Sequence, residues 1–378
     1  MQGRLKPDEN GNPRVYQRKD GTWSASFDVT ASDVEFVGNK EGRLLISTSV
    51  VSLIKELGGF EFNSAFNPTF VDLWFMEGIK NHEQQQEHDF WCKSNSTIDK
   101  RIFRLRTFER RFSTGVSERS LEFRKEIDTW DGLCSLSAEY LTKFINRIEL
   151  QFPDYVHVIL TGGKDSQLIW TVPKIDETKW YCFSSEPEAT TAKEFLDRNK
   201  IFYKDFFHSM NTETEDFEKK IVCSDCIAYP QHIRYLGELT GIVNKLGNKC
   251  IFWLGTMVSA AGFYKIKKPR YYKYYDRFWE KHSEALASAD HRTKFNYLEC
   301  PFLSPFHSDE IWTNVYSRFD PLIFKNKEKV DNRSILAHKL IGRELWWPEE
   351  FSGPTKMSAS NENNLLLYRQ YIEKNIND

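Results

Sequence analysis

No stretch of this chain approaches the roughly 18 consecutive apolar residues that a membrane-crossing helix needs, so no segment is expected to span a bilayer. Excess charge is also lacking: 52 Lys plus Arg stand against 54 Asp plus Glu, a net −2 at neutral pH. No global field recruits nucleic acid, and such binding would need a local patch. The opening MQGRLKPDENGNPR is polar and proline-bearing, which does not fit a secretory leader. The seven cysteines, an odd number spread over 378 residues, are therefore expected as reduced thiols and the protein in the cytoplasm. The nine histidines form no HxxxH or HxH pair, so no histidine metal site is expected, and there is no internal repeat or low-complexity segment. What remains is 40% hydrophobic sequence, enough for two domains or one large one.

The most informative stretch is VHVILTGGKDS, residues 156–166. Val156 to Leu160 is apolar except for His157, the pattern of a strand buried on both faces of a parallel sheet. Thr161, Gly162 and Gly163 follow, then Lys164, Asp165 and Ser166, and then Leu168, Ile169 and Trp170 of an expected helix. A strand, a glycine turn and a helix start aim backbone N–H groups at an anion, and the helix dipole favours negative charge there. The glycines admit a phosphate close to the main chain. Lys164 adds a mobile cation, Ser166 a hydroxyl and Asp165 a carboxylate able to hold Mg²⁺ against phosphate oxygens.

Before this stretch the chain reads as a small β-rich domain, residues 1–134. Arg14 to Gln17 and Thr22 to Val29 make one hairpin around Lys19-Asp20-Gly21. Val34 to Val37 and Leu44 to Ile46 make a second, with its turn at Lys40-Glu41-Gly42. A helix then runs to Leu57 and stops at Gly58-Gly59, and Asn67-Pro68 opens another. From 135 to 378 the pattern alternates. A helix capped by Ser135 or Ser137 precedes the 156–160 strand. Strands are expected at 180–183, 201–206 and 250–254, with helices near 189–198 and 230–246. That alternation predicts an α/β fold with a doubly wound parallel sheet. Ligands of such sheets sit at the carboxyl ends of the strands, so the residues after Phe183 and Leu254 should share a pocket with 161–166.

The loop resembles the SGGxDS pyrophosphate-binding loop of the N-type ATP pyrophosphatases, with Thr161 in place of the first serine. The order of features from 136 to 360 is similar to the synthetase domain of the class B asparagine synthetase family, which includes β-lactam synthetases and lasso-peptide cyclases. CIFWLGTMVSAAGF stands where that family has a strand and a glycine-acidic loop, and CPFLSPFHSDEI resembles its PFLD segment. RSILAHKLIGRELWWPEEFSGPTKMSAS resembles the stretch that carries a catalytic lysine, here Lys356. The front part resembles a truncated form of the family's N-terminal amidotransferase domain. The resemblance implies ATP and Mg²⁺ as cofactors, with Leu160, Thr161, Gly162, Gly163, Lys164, Asp165 and Ser166 around the pyrophosphate and Asp165 on the metal. Main-chain groups of Cys182, Phe183, Ser184 and Gly255 would meet the adenosine. The implied activity is adenylation of a substrate carboxylate, with AMP and pyrophosphate released and an amide or related C–N bond formed.

Departures from the family limit this. Residue 2 is Gln2 where a glutamine-hydrolysing member exposes a cysteine, and the first cysteine is Cys92, so no glutaminase activity is expected. The amine is then free ammonia, part of a small-molecule or peptide substrate, or the product of a separate partner protein. The family's second acidic loop is Gly255-Thr256-Met257-Val258-Ser259-Ala260, without a carboxylate, and Ser304 replaces the aspartate of PFLD. Two further constellations stand apart. Cys223 and Cys226 form one CxxC, which fits a helical pair of reduced cysteines better than a zinc or iron–sulfur site. YKIKKPRYYKYYDR, residues 264–277, can stack bases and neutralise phosphates, line an acceptor pocket or form a solvated face. The alternatives to the ligase are thus a nucleotide- or RNA-modifying enzyme using the CxxC, with nucleic acid a less favoured partner, and a degenerate homologue that only binds.

Overall fold

A computed structural model describes residues 14–17, 23–26, 36–47, 49–63, 97–104, 109–112, 114, 117–119, 123–161, 164–186, 188–209, 236–255, 298–307, 309–320, 323, 330–348, 369–370, 372–374 and 376. Both expected hairpins are present. Strands β1 (Arg14–Gln17) and β2 (Trp23–Ser26) pair antiparallel, as do β3 (Phe36–Lys40) and β4 (Arg43–Ser47). The second hairpin turns on Glu41 and Gly42, both at positive φ (52° and 78°), the two-residue geometry whose twist matches the flanking strands. Helix α1 (Val50–Leu57) starts at Ser49, whose hydroxyl accepts from the Ser52 N–H, and ends at left-handed Gly58 as expected. Strand β5 (Phe103–Arg104) joins the second hairpin, and β6 (Glu109–Phe112) and β7 (Ser117–Arg119) extend the first. Phe36, Val50, Leu53, Ile54, Ile98 and Ile102 form one core, and Ile372 from the far end of the chain is buried among them. The helix expected at Asn67-Pro68 lies outside the described residues.

Helix α2 (Trp130–Gln151) begins earlier than either serine implied. Thr129 is its cap, the hydroxyl accepting from the Gly132 N–H at 3.2 Å. Trp130, Leu133 and Cys134 continue the buried stripe of Leu141, Phe144 and Ile145 about three turns upstream, and Ser137 becomes an interior, buried position. The shift also brings the preceding residues into the second half of the chain: the Arg124 N–H donates to the Ser317 carbonyl, and Ile127 bridges to Phe319.

The rest is built on a five-stranded, all-parallel sheet. Its strands are β8 (Val156–Leu160), β9 (Trp180–Ser185), β10 (Phe206–Ser209), β11 (Cys250–Trp253) and β12 (Phe302–Leu303), in the spatial order β10-β9-β8-β11-β12. Helices α3 (Lys164–Trp170), α4 (Ala189–Arg198), α5 (Leu236–Leu246), α6 (Asp309–Asn314) and α7 (Asn332–Ile341) complete it. One face carries Ile159, Trp180, Cys182, Ile251 and Trp253 against α2, α3, α4 and α7. The other carries Val158, Tyr181, Phe183, Cys250 and Phe252 against Leu239 and Ile242 of α5. Coverage of both faces is what the unbroken apolar reading of these strands requires. The fold is therefore mixed α/β, and its parallel sheet with helices on both faces is compatible with a doubly wound domain.

Two boundaries moved. The strand expected at 201–206 begins only at Phe206, opposite Cys182. Lys200 is left-handed (φ 52°) and the Ile201 N–H bonds back to Leu196 of α4, so the apolar residues just after the helix close it off before the ladder starts. Helix α5 is described from Leu236, and residues 230–235 of its expected span lie outside the described residues. At its amino-terminal end the sheet holds a satisfied polar cluster. The His157 ring stacks on Trp180 at 4.4 Å, and His157 Nδ1 accepts from Trp253 Nε1 at 3.0 Å. Glu149 of α2 accepts from Trp180 Nε1 (2.9 Å), the Ile175 N–H (2.9 Å) and the Asp176 N–H (3.3 Å).

Candidate functional site

The chain leaves β8 toward β9 and β10 on one side and returns to β11 and β12 on the other. The carboxyl ends of β8 and β11 thus flank the point where the strand order reverses, the usual crevice for a ligand in such a sheet. Residues 161–166 leave β8 at that point, and α3 starts at Lys164. Thr161 is buried and turned inward. Its N–H donates to the Phe183 carbonyl at 2.7 Å, and its hydroxyl accepts from Trp170 Nε1 at 2.8 Å while donating to the Ile159 carbonyl at 3.3 Å. The Cys182 thiol, pushed up to about 12 by burial and so protonated, donates to the same hydroxyl at 3.3 Å. These bonds fasten the start of the loop to β9 and to α3, and leave the Thr161 hydroxyl a structural role. An anion would meet the loop's backbone instead.

Gly255, two residues past β11, lies against the other side of the loop. A Cβ built there would fall 2.3 Å from the Ser166 nitrogen, 2.4 Å from the Asp165 carbonyl carbon and 2.6 Å from the Ser166 Cα. Those neighbours are backbone and cannot swing aside, so only glycine fits this close approach. Gly255 is thereby a packing requirement of the first turn of α3. Asp165 is half-buried there, and Ser166 is buried.

The expected site residues separate into three groups. Leu160, Thr161, Asp165, Ser166, Cys182, Phe183, Ser184 and Gly255 come together at the carboxyl ends of β8, β9 and β11, with Leu160 in register with Phe183. Lys164 supplies the first residue of α3. Gly162, Gly163 and Lys356 lie outside the described residues, as do Cys223, Cys226 and the 264–277 run. The stretch that leads toward Lys356 is nevertheless anchored. Asn199 at the end of α4 donates to the Trp346 carbonyl and accepts from the Trp346 N–H, both at 2.7 Å, and Trp347 stacks on Phe195 at 5.0 Å.

Sequence reading passed over three polar residues at this edge. Gln167 is fully buried, and among the described residues neither its Oε1 nor its Nε2 has a hydrogen-bond partner. Its signal was a polar residue breaking the apolar run after the loop. Glu186 and His208, at the tips of β9 and β10, pair through Oε1 and Nε2 at 2.9 Å. Among the described residues no group of three or more His, Cys, Asp or Glu side chains could hold a metal ion, and no helix is long and apolar enough to cross a membrane. No protein-family model matches the chain, and no curated protein is significantly similar to it.

Proposed function

We propose that the protein is an ATP-dependent, AMP-forming carbon–nitrogen ligase of the asparagine-synthetase-like kind. The observation that carries this reading is the buried strand β8 and the helix α3 at the reversal of the strand order, joined by the glycine turn expected from the sequence, with Gly255 packed on Asp165 and Ser166. Such a turn offers backbone N–H groups to a pyrophosphate, and the motif within it supplies one carboxylate and one cation. Mg²⁺ fits this donor set: it takes oxygen ligands and usually keeps several waters, so Asp165 with phosphate oxygens suffices. Bound there, it would neutralise charge on the leaving pyrophosphate.

A substrate carboxylate oxygen attacks the α-phosphorus of ATP, and the bond to the β-phosphate oxygen breaks. The acyl-adenylate then meets an amine, which forms the C–N bond as AMP leaves and the amine proton is lost. Residues 160–166 bind and orient the phosphates, and Lys356, assigned by resemblance, balances charge on them. Catalysis of this kind is positioning and charge stabilisation. The β-rich front part, which resembles a truncated amidotransferase domain, is read as a scaffold for this site.

The test is product analysis and labelled-pyrophosphate exchange on the full chain with candidate carboxylates. AMP and pyrophosphate are expected. Asp165→Asn should abolish exchange, and Gly255→Ala should cut it about 100-fold by displacing the loop. ADP and inorganic phosphate as coupled products would overturn the assignment.

A further inference from the structure

The tips of β9 and β10 carry a polar cluster that the ligase chemistry leaves unused. Ser184 and His208 are directly opposite in the parallel register, so their side chains leave the same face of the sheet. Ser184 is only 2% exposed, yet its hydroxyl has no hydrogen-bond partner among the described residues. A buried hydroxyl left unpaired is costly, and folded proteins keep few of them. One residue past the end of β9, Glu186 receives the His208 Nε2–H on Oε1 at 2.9 Å, which leaves Oε2 outside that bond. Both side chains are more than a third exposed (40% and 36%) and so reachable by a ligand. The rim beneath is fixed: the Glu186 N–H donates to the Ser209 carbonyl at 3.1 Å, and Ser209 Oγ donates to Glu238 at 2.8 Å.

A surface His–Glu pair alone is ordinary. The buried Ser184 hydroxyl, unpaired among the described residues, adds a polar group on the same face, and the place is informative. In the dinucleotide-binding sheets of the Rossmann kind, an acid at the tip of the second strand, about 20 residues beyond the glycine turn, receives a ribose hydroxyl, and β9 holds the same place beside β8 here. We infer that Glu186, held by His208, accepts the ribose 2′- and 3′-hydroxyls of the bound nucleotide, with Ser184 Oγ completing the sugar subsite. This rests on the nucleotide reading of residues 160–166 and extends it from the phosphates to the sugar, making the site selective for ribonucleotides.

Calorimetric titration of the full chain with AMP, 2′-deoxy-AMP, 3′-deoxy-AMP and, separately, pyrophosphate tests it. AMP is expected to bind at least about tenfold tighter than either deoxy form, the size of one charged hydrogen bond. Glu186→Gln should weaken AMP and erase that preference, and Ser184→Ala should weaken AMP without loss of thermal stability. Asp165→Asn should weaken pyrophosphate while the ribose preference persists. Equal binding of all three nucleotides overturns the inference, as does no AMP binding at millimolar concentration or unchanged AMP affinity in both Glu186→Gln and Ser184→Ala. Failure of the phosphate reading would show separately, as absence of pyrophosphate binding.

Discussion

The two ends of the parallel sheet differ in buried polarity at particular residues, although Thr161 at the carboxyl end is bonded through its N–H and its hydroxyl. At the amino-terminal end His157 and the carboxylate of Glu149 are enclosed with partners: Glu149 receives three N–H donors, and His157 is stacked on one indole and bonded to another. At the carboxyl end Ser184 and Gln167 are just as buried and have none among the described residues. Satisfied polar groups in a low-dielectric interior make a rigid, specific core, whereas unsatisfied ones raise the energy of the empty protein until something supplies the missing bond. The amino-terminal cluster thereby contributes to stability, and on the proposed reading Ser184 and Gln167 are kept for a ligand.

The largest test of that contrast is Trp180→Ala. It removes a buried indole, the stack on His157 and one donor to Glu149, and should cost about 3–5 kcal/mol in denaturant unfolding. A loss under about 1 kcal/mol would mean that the amino-terminal cluster is not the anchor of the sheet.

Acid comes next. Burial, helped by the charges of Lys174 and Lys179 and opposed by Asp176, pushes His157 down to about 4 in the folded protein. The unfolded chain binds that proton more readily, near its ordinary 6.5, so the stability due to neutral His157 is full above 6.5. It should fall as pH drops from 6.5 through 4, by roughly 3 kcal/mol at most. Comparing His157→Phe with the parent across that window isolates the effect from titrating carboxylates. The parent should lose stability more steeply, and parallel curves would show that His157 does not carry the pH dependence.

The smallest effect has the opposite sign. Gln167→Leu keeps the side chain's bulk and deletes two buried, unpaired polar atoms, so thermal unfolding should be unchanged or shifted up by about 1 kcal/mol. On the proposed nucleotide reading the same substitution should also lower nucleotide affinity, because side chains on a helix lean toward its start and Gln167 sits in the first turns of α3. A clear loss of stability in Gln167→Leu would make the amide structural and erase the contrast between the two ends.

Much of the second half was legible in advance because its signals are local. The uninterrupted apolar residues of β8, β9 and β11 state burial on both faces, and α4 was bounded as found, at 189–198. Errors fell where a local signal had a rival. Ser135 and Ser137 resemble caps, but the apolar spacing beginning at Trp130 continues through them. Ile201, Phe202 and Tyr203 resemble a strand, but the return of Ile201 onto α4 postpones pairing. The short β12 gave no separate sign, since two residues carry no period.

By itself, then, the sequence determined that residues 156–160 form a buried strand and residues 164–170 a helix, because apolar runs act through nearest neighbours along the chain. It also supplied the motif that suggests a phosphate. Only the tertiary structure decided that β8 lies between β9 and β11, which puts Gly255, some 90 residues away, against the backbone of Asp165 and Ser166. Only the register of β9 and β10 set His208 opposite Ser184 and within reach of Glu186. Contacts of this kind depend on which strands pair and in what order. Strand order is settled by burying both faces of the whole sheet at once, and no single stretch of sequence encodes it.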